Sequence, residues 1–162
     1  IITTDTDQKS RRRIVDLISR NMALKANIVS VDERESNIRL LLNYGHTIGH
    51  AIEQASGYSR YLHGEAVAIG LVGAAMIAER MGMIDKTLTL EHKNLLEMYD
   101  LPVCISKEDN ITVDDILHAL LSDKKITDGQ QRWVLLKQAG KPVIRNDVPT
   151  EIIEEVVEAL VR

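Results

Sequence analysis

Residues 41–53 read LLNYGHTIGHAIE, which sets His46 and His50 four residues apart with a glycine before each. At about 100° of rotation per residue, one continuous helix from about Asn37 to Ala55 gathers Arg39, Asn43, His46 and His50 within an arc of roughly 60°. Leu41, Ile48 and Ile52 fall opposite and are expected to face the core. Solvated helix faces are normally rich in interleaved Lys and Glu, whereas this one carries Arg, Asn, His and His, so the pattern points to a site. Gly45 and Gly49 each cost about 1 kcal/mol relative to alanine in a helix. Their presence predicts that another backbone or a ligand comes close.

Two neutral imidazoles at positions i and i+4 can hold one divalent metal, and zinc is the usual ion for nitrogen and oxygen donors. The residue after His46 is Thr47, so the glutamate base of the HExxH peptidases is missing and that chemistry is disfavoured. A third imidazole, His63, precedes Gly64 and Glu65 at the start of the next helical segment, and the short SGYSRYL connection allows it to return to the same place. His92 and His118 lie among charged and apolar neighbours in other amphipathic segments and are read as structural or surface residues.

Outward from this stretch the chain reads as helical. Ile14, Leu17, Ile18, Met22 and Leu24 recur at helical spacing between Gln8 and about Val29, and SVDERES follows as a turn. A third helix, about Gly64 to Met81, is apolar nearly all round and is expected at the centre of a bundle. A fourth runs through TLTLEHKNLLEMYDL to a stop at Pro102, and a fifth begins at a Thr112–Asp115 capping box. QRWVLLKQAGKPVIRND has two β-prone runs about Ala139-Gly140 and predicts a small hairpin, after which Pro149 and Thr150 open a last helix, Glu151 to Val161. The expected class is mainly α, a multi-helix single domain with one β-hairpin.

Composition narrows the function. Asp and Glu outnumber Lys and Arg by 24 to 20, which gives no support to a polyanion-binding role, so nucleic acid is not an expected partner. The longest apolar run, Ala66 to Ala78, is well short of the roughly 20 residues that a membrane-spanning helix needs. Cys104 is the single cysteine, so no disulfide framework forms within the chain, and a reducing, cytoplasmic setting is expected. The N-terminal IITTDTDQKSRRR has no signal-peptide pattern.

The segments VDERESNIRLLLNYGHTIGHAIE, YLHGEAVAIGLV and SDKKITDGQQRWVLL, in that order, closely resemble the C-terminal domain of the 3-dehydroquinate synthase family. The resemblance runs from about Lys25 to the C-terminus. It implies a dehydroquinate-synthase-like helical domain that closes an active site together with an N-terminal NAD-binding domain. It also implies conversion of 3-deoxy-arabino-heptulosonate 7-phosphate to 3-dehydroquinate, in the shikimate pathway and commonly by a homodimer. By the same resemblance His46 and His63 become ligands of zinc or another divalent metal such as cobalt, and His50 becomes a catalytic, phosphate-contacting histidine beside Asn43. Lys25 and Arg39 match contacts to the substrate carboxylate, one of Lys124 and Lys125 matches a phosphate contact, and Asp32 and Glu35 are expected as supporting carboxylates around the ligands.

The family's third zinc ligand, a glutamate, precedes the matched region, and these 162 residues contain no Gly-rich nucleotide loop. The chain alone is therefore expected to bind zinc weakly and to show no turnover. Two other readings remain open. One is a different sugar-phosphate cyclase, such as a 2-deoxy-scyllo-inosose synthase, whose substrate lacks the carboxylate. The other is a non-catalytic helical binding module.

Overall fold

A computed structural model describes residues 8–32, 38–122 and 131–162. The chain divides into two compact units, residues 1–42 and 43–162.

The first unit contains the long helix α1 (Gln8–Val31) and most of a 3-10 helix, Ile38–Asn43. The buried Asp32 carboxylate accepts the backbone N–H of Arg39 at 3.1 Å, tying the end of α1 to the 3-10 turn. The sequence placed α1 correctly, but most of its apolar stripe is not packed: Leu17, Ile18, Met22 and Leu24 are all more than half exposed, while Ile14 is half-buried. Among the described residues of this unit, one helix and one short turn offer nothing wide enough to cover such a stripe. The segment SVDERES likewise begins inside α1, and residues 33–37 lie outside the described residues.

No continuous helix runs through Leu41–Glu53: the 3-10 helix ends at Asn43, and α2 (His46–Ala55) starts afresh after Gly45. Gly45 has φ +80°, in the left-handed region that a side chain would strain, so the helical ladder breaks there and restarts at His46. Arg39 and Asn43 therefore do not share a helical face with His46 and His50, and the 60° arc dissolves. Leu41, expected in the core, is only half-buried, because none of the 3-10 helix is buried. Ile48 and Ile52 are buried as the spacing predicts.

Helix α3 (His63–Arg80) lies at the centre, packed on α2, α4 (Lys86–Met98), α6 (Thr150–Leu160) and β1 (Trp133–Gln138). Its near-continuous Ala, Gly, Val and Ile sequence buries surface on several sides. The glycines let backbones meet: a Cβ on Gly49 would sit 3.1 Å from Val67 Cα. The close partner expected for Gly45 and Gly49 is thus the backbone of α3.

Helix α5 (Val113–Ser122) begins at the expected capping box, in which Thr112 Oγ1 accepts the Asp115 N–H at 3.1 Å while an Asp115 oxygen accepts the Thr112 N–H at 2.9 Å. Strands β1 and β2 (Lys141–Arg145) form the expected antiparallel hairpin, turning at Gly140 with φ +72°. Leu135 and Trp133 of β1 enter the same core as Ile48, Ile52, Ile69, Ile116, Val156 and Leu160. Backbone bonds from Ile105 N–H to Leu160 O, 2.7 Å, and from Arg162 N–H to Ile105 O, 2.8 Å, fasten the segment after α4 to the end of α6. Among the described residues no helix is long and apolar enough to cross a membrane.

Candidate metal and substrate site

Helices α2 and α3 bring three imidazoles together. His46 is the first residue of α2, His50 lies one turn on, and His63 is the first residue of α3. Because Ile48, Gly49, Ala51 and Ile52 of α2 are buried, the remaining side of the helix carries the two histidines out of the core. The rings of His46 and His50 stand 5.5 Å apart between centroids, those of His46 and His63 5.4 Å, and those of His50 and His63 5.9 Å.

Each outer histidine has an acceptor at its Nδ1. The Tyr44 carbonyl lies 3.3 Å from His46 Nδ1, and the two Glu53 carboxylate oxygens lie 3.1 and 3.2 Å from His63 Nδ1. One donor atom each from His50, Glu53 and His63 falls within 4.8 Å of the others, a spacing that one ion can bridge. Nitrogen donors with a carboxylate suit zinc or cobalt, so His50, Glu53 and His63 fit a divalent metal, whereas His46, a ligand by the family resemblance, is outside this set with its ring 5.4 Å from that of His63.

The turn that launches α2 is held from behind. His92 Nδ1 donates to the Leu88 carbonyl at 2.8 Å, which leaves Nε2 to accept from the Tyr44 hydroxyl at 3.3 Å. The two rings also meet edge to face, 5.9 Å apart. Burial pushes the Tyr44 phenol up, so it stays protonated as a donor. His92 is thus structural, as its sequence setting implied, and His118 is exposed.

Beside His50 a cleft of about 380 Å³ is lined by Thr47, Glu53, Gln54 and Tyr58, with Ala119 and Leu120 of α5 on the other wall. Gly57 and Tyr58 both take left-handed backbone, φ +60° and +58°, so the chain reverses sharply between α2 and His63.

The family described as 3-dehydroquinate synthase C-terminal matches residues 3–126, which include all three histidines. The chain belongs to the 3-dehydroquinate synthase C-terminal family. The 3-dehydroquinate synthase of Nitrosospira multiformis is 44% identical over 144 residues, covering 89% of this chain and 38% of the relative. That of Crocosphaera subtropica is 38% identical over 154 residues, 95% of this chain and 42% of the relative. The chain thus spans about two fifths of the length of the curated relatives it matches. Among solved structures, a 2-deoxy-scyllo-inosose synthase complexed with carbaglucose-6-phosphate, NAD+ and Co2+ superposes with a TM-score of 0.75 at 31% identity, over 93% of this chain and 43% of that one. A 2-epi-5-epi-valiolone synthase from Streptomyces hygroscopicus subsp. jinggangensis 5008, with NAD+ and Zn2+ bound, gives 0.77 at 25% identity, over 90% and 39%. The helical 3-dehydroquinate-synthase-like fold read from the sequence is the one found.

Of the residues the family resemblance singled out, the structure assembles His46, His50 and His63 in one cluster, with Asn43 half-buried at the start of the same unit. Lys25, Asp32 and Arg39 belong to the first unit, where Asp32 serves the Arg39 backbone. Glu35, Lys124 and Lys125 lie outside the described residues. Glu53 was missed, although it sits three residues after His50, a spacing that puts both on one helical side.

Proposed function

We propose that this chain is the metal- and substrate-binding domain of a 3-dehydroquinate synthase, acting with an N-terminal NAD-binding domain on 3-deoxy-arabino-heptulosonate 7-phosphate to give 3-dehydroquinate and phosphate. The observation that carries the reading is the three-histidine cluster, built from the two family-matched segments NYGHTIGH and LHGEA. Curated relatives near 40% identity bear that name, and the related cyclases of known structure were solved with NAD+ and a divalent ion.

His46 and His63 would hold zinc or cobalt, completed by a donor from outside the pair. The chemistry supplied by NAD and the metal is transient oxidation of a substrate hydroxyl, the ketone so formed acidifying the neighbouring C–H. The chain's own residues do the rest. His50, facing the cleft, would contact the phosphate and carry a proton at its leaving oxygen, with Asn43 donating to the substrate beside it. Lys25 and Arg39 are assigned to the carboxylate and one of Lys124 and Lys125 to the phosphate, a doubly anionic substrate being one that charge-assisted hydrogen bonds hold well. Asp32 and Glu35 would support those basic groups. A place in the shikimate pathway, a homodimer and a cytoplasmic setting complete the proposal.

Phosphate release by the full-length protein carrying this chain, assayed with NAD and zinc on the heptulosonate phosphate and on glucose 6-phosphate, tests it. Turnover of the first supports the reading. Turnover of glucose 6-phosphate alone would make it an inosose-type cyclase, and turnover of neither would leave a binding module.

A further inference from the structure

We propose that Glu53 is the positioning residue of the metal centre: it fixes the tautomer and direction of His63 so that Nε2 is the atom offered to the ion. The inference rests on the metal reading of His46 and His63. A carboxylate oxygen can only accept, so a ring nitrogen 3.1 and 3.2 Å from the two Glu53 oxygens must carry the hydrogen. With Nδ1–H engaged, the lone pair of His63 lies on Nε2.

The need for such a brace is visible in the exposure. The His63 side chain is 58% exposed at the first position of α3, whereas that of Glu53 is 12% exposed on the body of α2. The better-buried partner therefore directs the freer one. The same logic recurs at His46, whose Nδ1 meets the Tyr44 carbonyl at 3.3 Å, again a group that can only accept. Both proposed ligands consequently present Nε2, one oriented by backbone and one by Glu53. A carboxylate on the far nitrogen also makes an imidazole a stronger donor, which adds affinity beyond the geometry.

Because the Glu53 oxygens also lie within bridging distance of His50 and His63, direct ligation by Glu53 is the rival arrangement. Zinc affinity of the full-length protein, measured by competition with a chromophoric chelator, separates the two, alongside 15N NMR of the histidine rings in metal-free protein. Glu53→Ala is expected to weaken zinc about 10- to 100-fold. Glu53→Gln, whose amide carbonyl still accepts from Nδ1–H but is a poor ligand, should recover most of that loss. The metal-free protein should show the His63 hydrogen on Nδ1. Unchanged affinity in Glu53→Ala, a Glu53→Gln loss as large as that of His46→Ala, or the hydrogen on Nε2 would each overturn the proposal. Wild-type protein that binds no zinc would remove the metal reading beneath it, whereas Glu53-dependent zinc binding without cyclase turnover would defeat only the assigned reaction.

Discussion

A Cβ on Gly70 would lie 2.0 Å from the carbonyl oxygen of Gly45, so the turn that launches α2 rests directly on the backbone of α3. Neither partner is the end of a flexible side chain, so the contact cannot yield without moving a helix. Gly70→Ala should therefore destabilise by at least about 1–3 kcal/mol, the range for overpacking a close-packed interior. Gly49→Ala, whose nearest new contact is 3.1 Å, should cost less, and Gly64→Ala, with nothing within 4 Å, should be neutral or slightly stabilising. Urea midpoints of the three variants check the order. Equal midpoints would show that α2 and α3 are not so tightly apposed.

Tyr61 and Arg60 both bind the Asp109 carboxylate, linking the connection before α3 to a 3-10 turn, Lys107–Asp109. The Tyr61 hydroxyl is the larger influence holding the Asp109 carboxyl below its ordinary range, with the Arg60 guanidinium adding to it. Burial pushes Tyr61 up to about 12, and the hydrogen bond to Asp109 adds to that rise, so the phenol remains a donor through the neutral range. A carboxyl with a lowered folded-state pKa stabilises above its unfolded value, near pH 4, and that contribution is lost as pH falls through the folded value. Asp109→Asn should thus lower stability at neutral pH and flatten its loss below about pH 4. Parallel stability curves for wild type and variant would remove Asp109 from the acid response.

Ile52, fully buried between α2 and the rest of the core, and Tyr44, whose hydroxyl reaches His92, test the two supports of the histidine helix separately. Ile52→Ala should cost about 2–5 kcal/mol through the cavity it leaves. Tyr44→Phe keeps the ring and the backbone carbonyl that meets His46, and should cost only about 1 kcal/mol for the lost hydrogen bond. Thermal unfolding of both variants is the measurement. A Tyr44→Phe effect as large as that of Ile52→Ala would give the phenol a larger part in placing α2.

What the sequence made legible was whatever depended on local periodicity and turn chemistry. The Thr112 capping box, the hairpin at Gly140 and the apolar body of α3 are each legible within a dozen or so residues. The cluster of His46, His50 and His63 could also be anticipated, because only seven residues, 56–62, separate α2 from α3. The break at Gly45 could not. A glycine after a helical pattern is equally compatible with a close helix contact and with a left-handed turn, and here it serves both, so the supposed stripe from Arg39 to His50 was an artefact of extending one period across it. The role of Glu53 needed α3 in place, because its partner His63 belongs to another helix. The exposed stripe of α1 shows the reverse limit: periodicity reports which face is apolar, and not what covers it.

The most direct test of the central claim is zinc content and phosphate release measured on the same preparations of full-length wild type and His46→Ala. If His46 and His63 hold the ion, wild type should bind one zinc per chain and turn over the heptulosonate phosphate. His46→Ala should lose the zinc together with more than about a hundredfold of the rate, as expected when a Lewis acid worth several kcal/mol is removed. A folded His46→Ala protein that keeps both its zinc and its turnover would contradict the account.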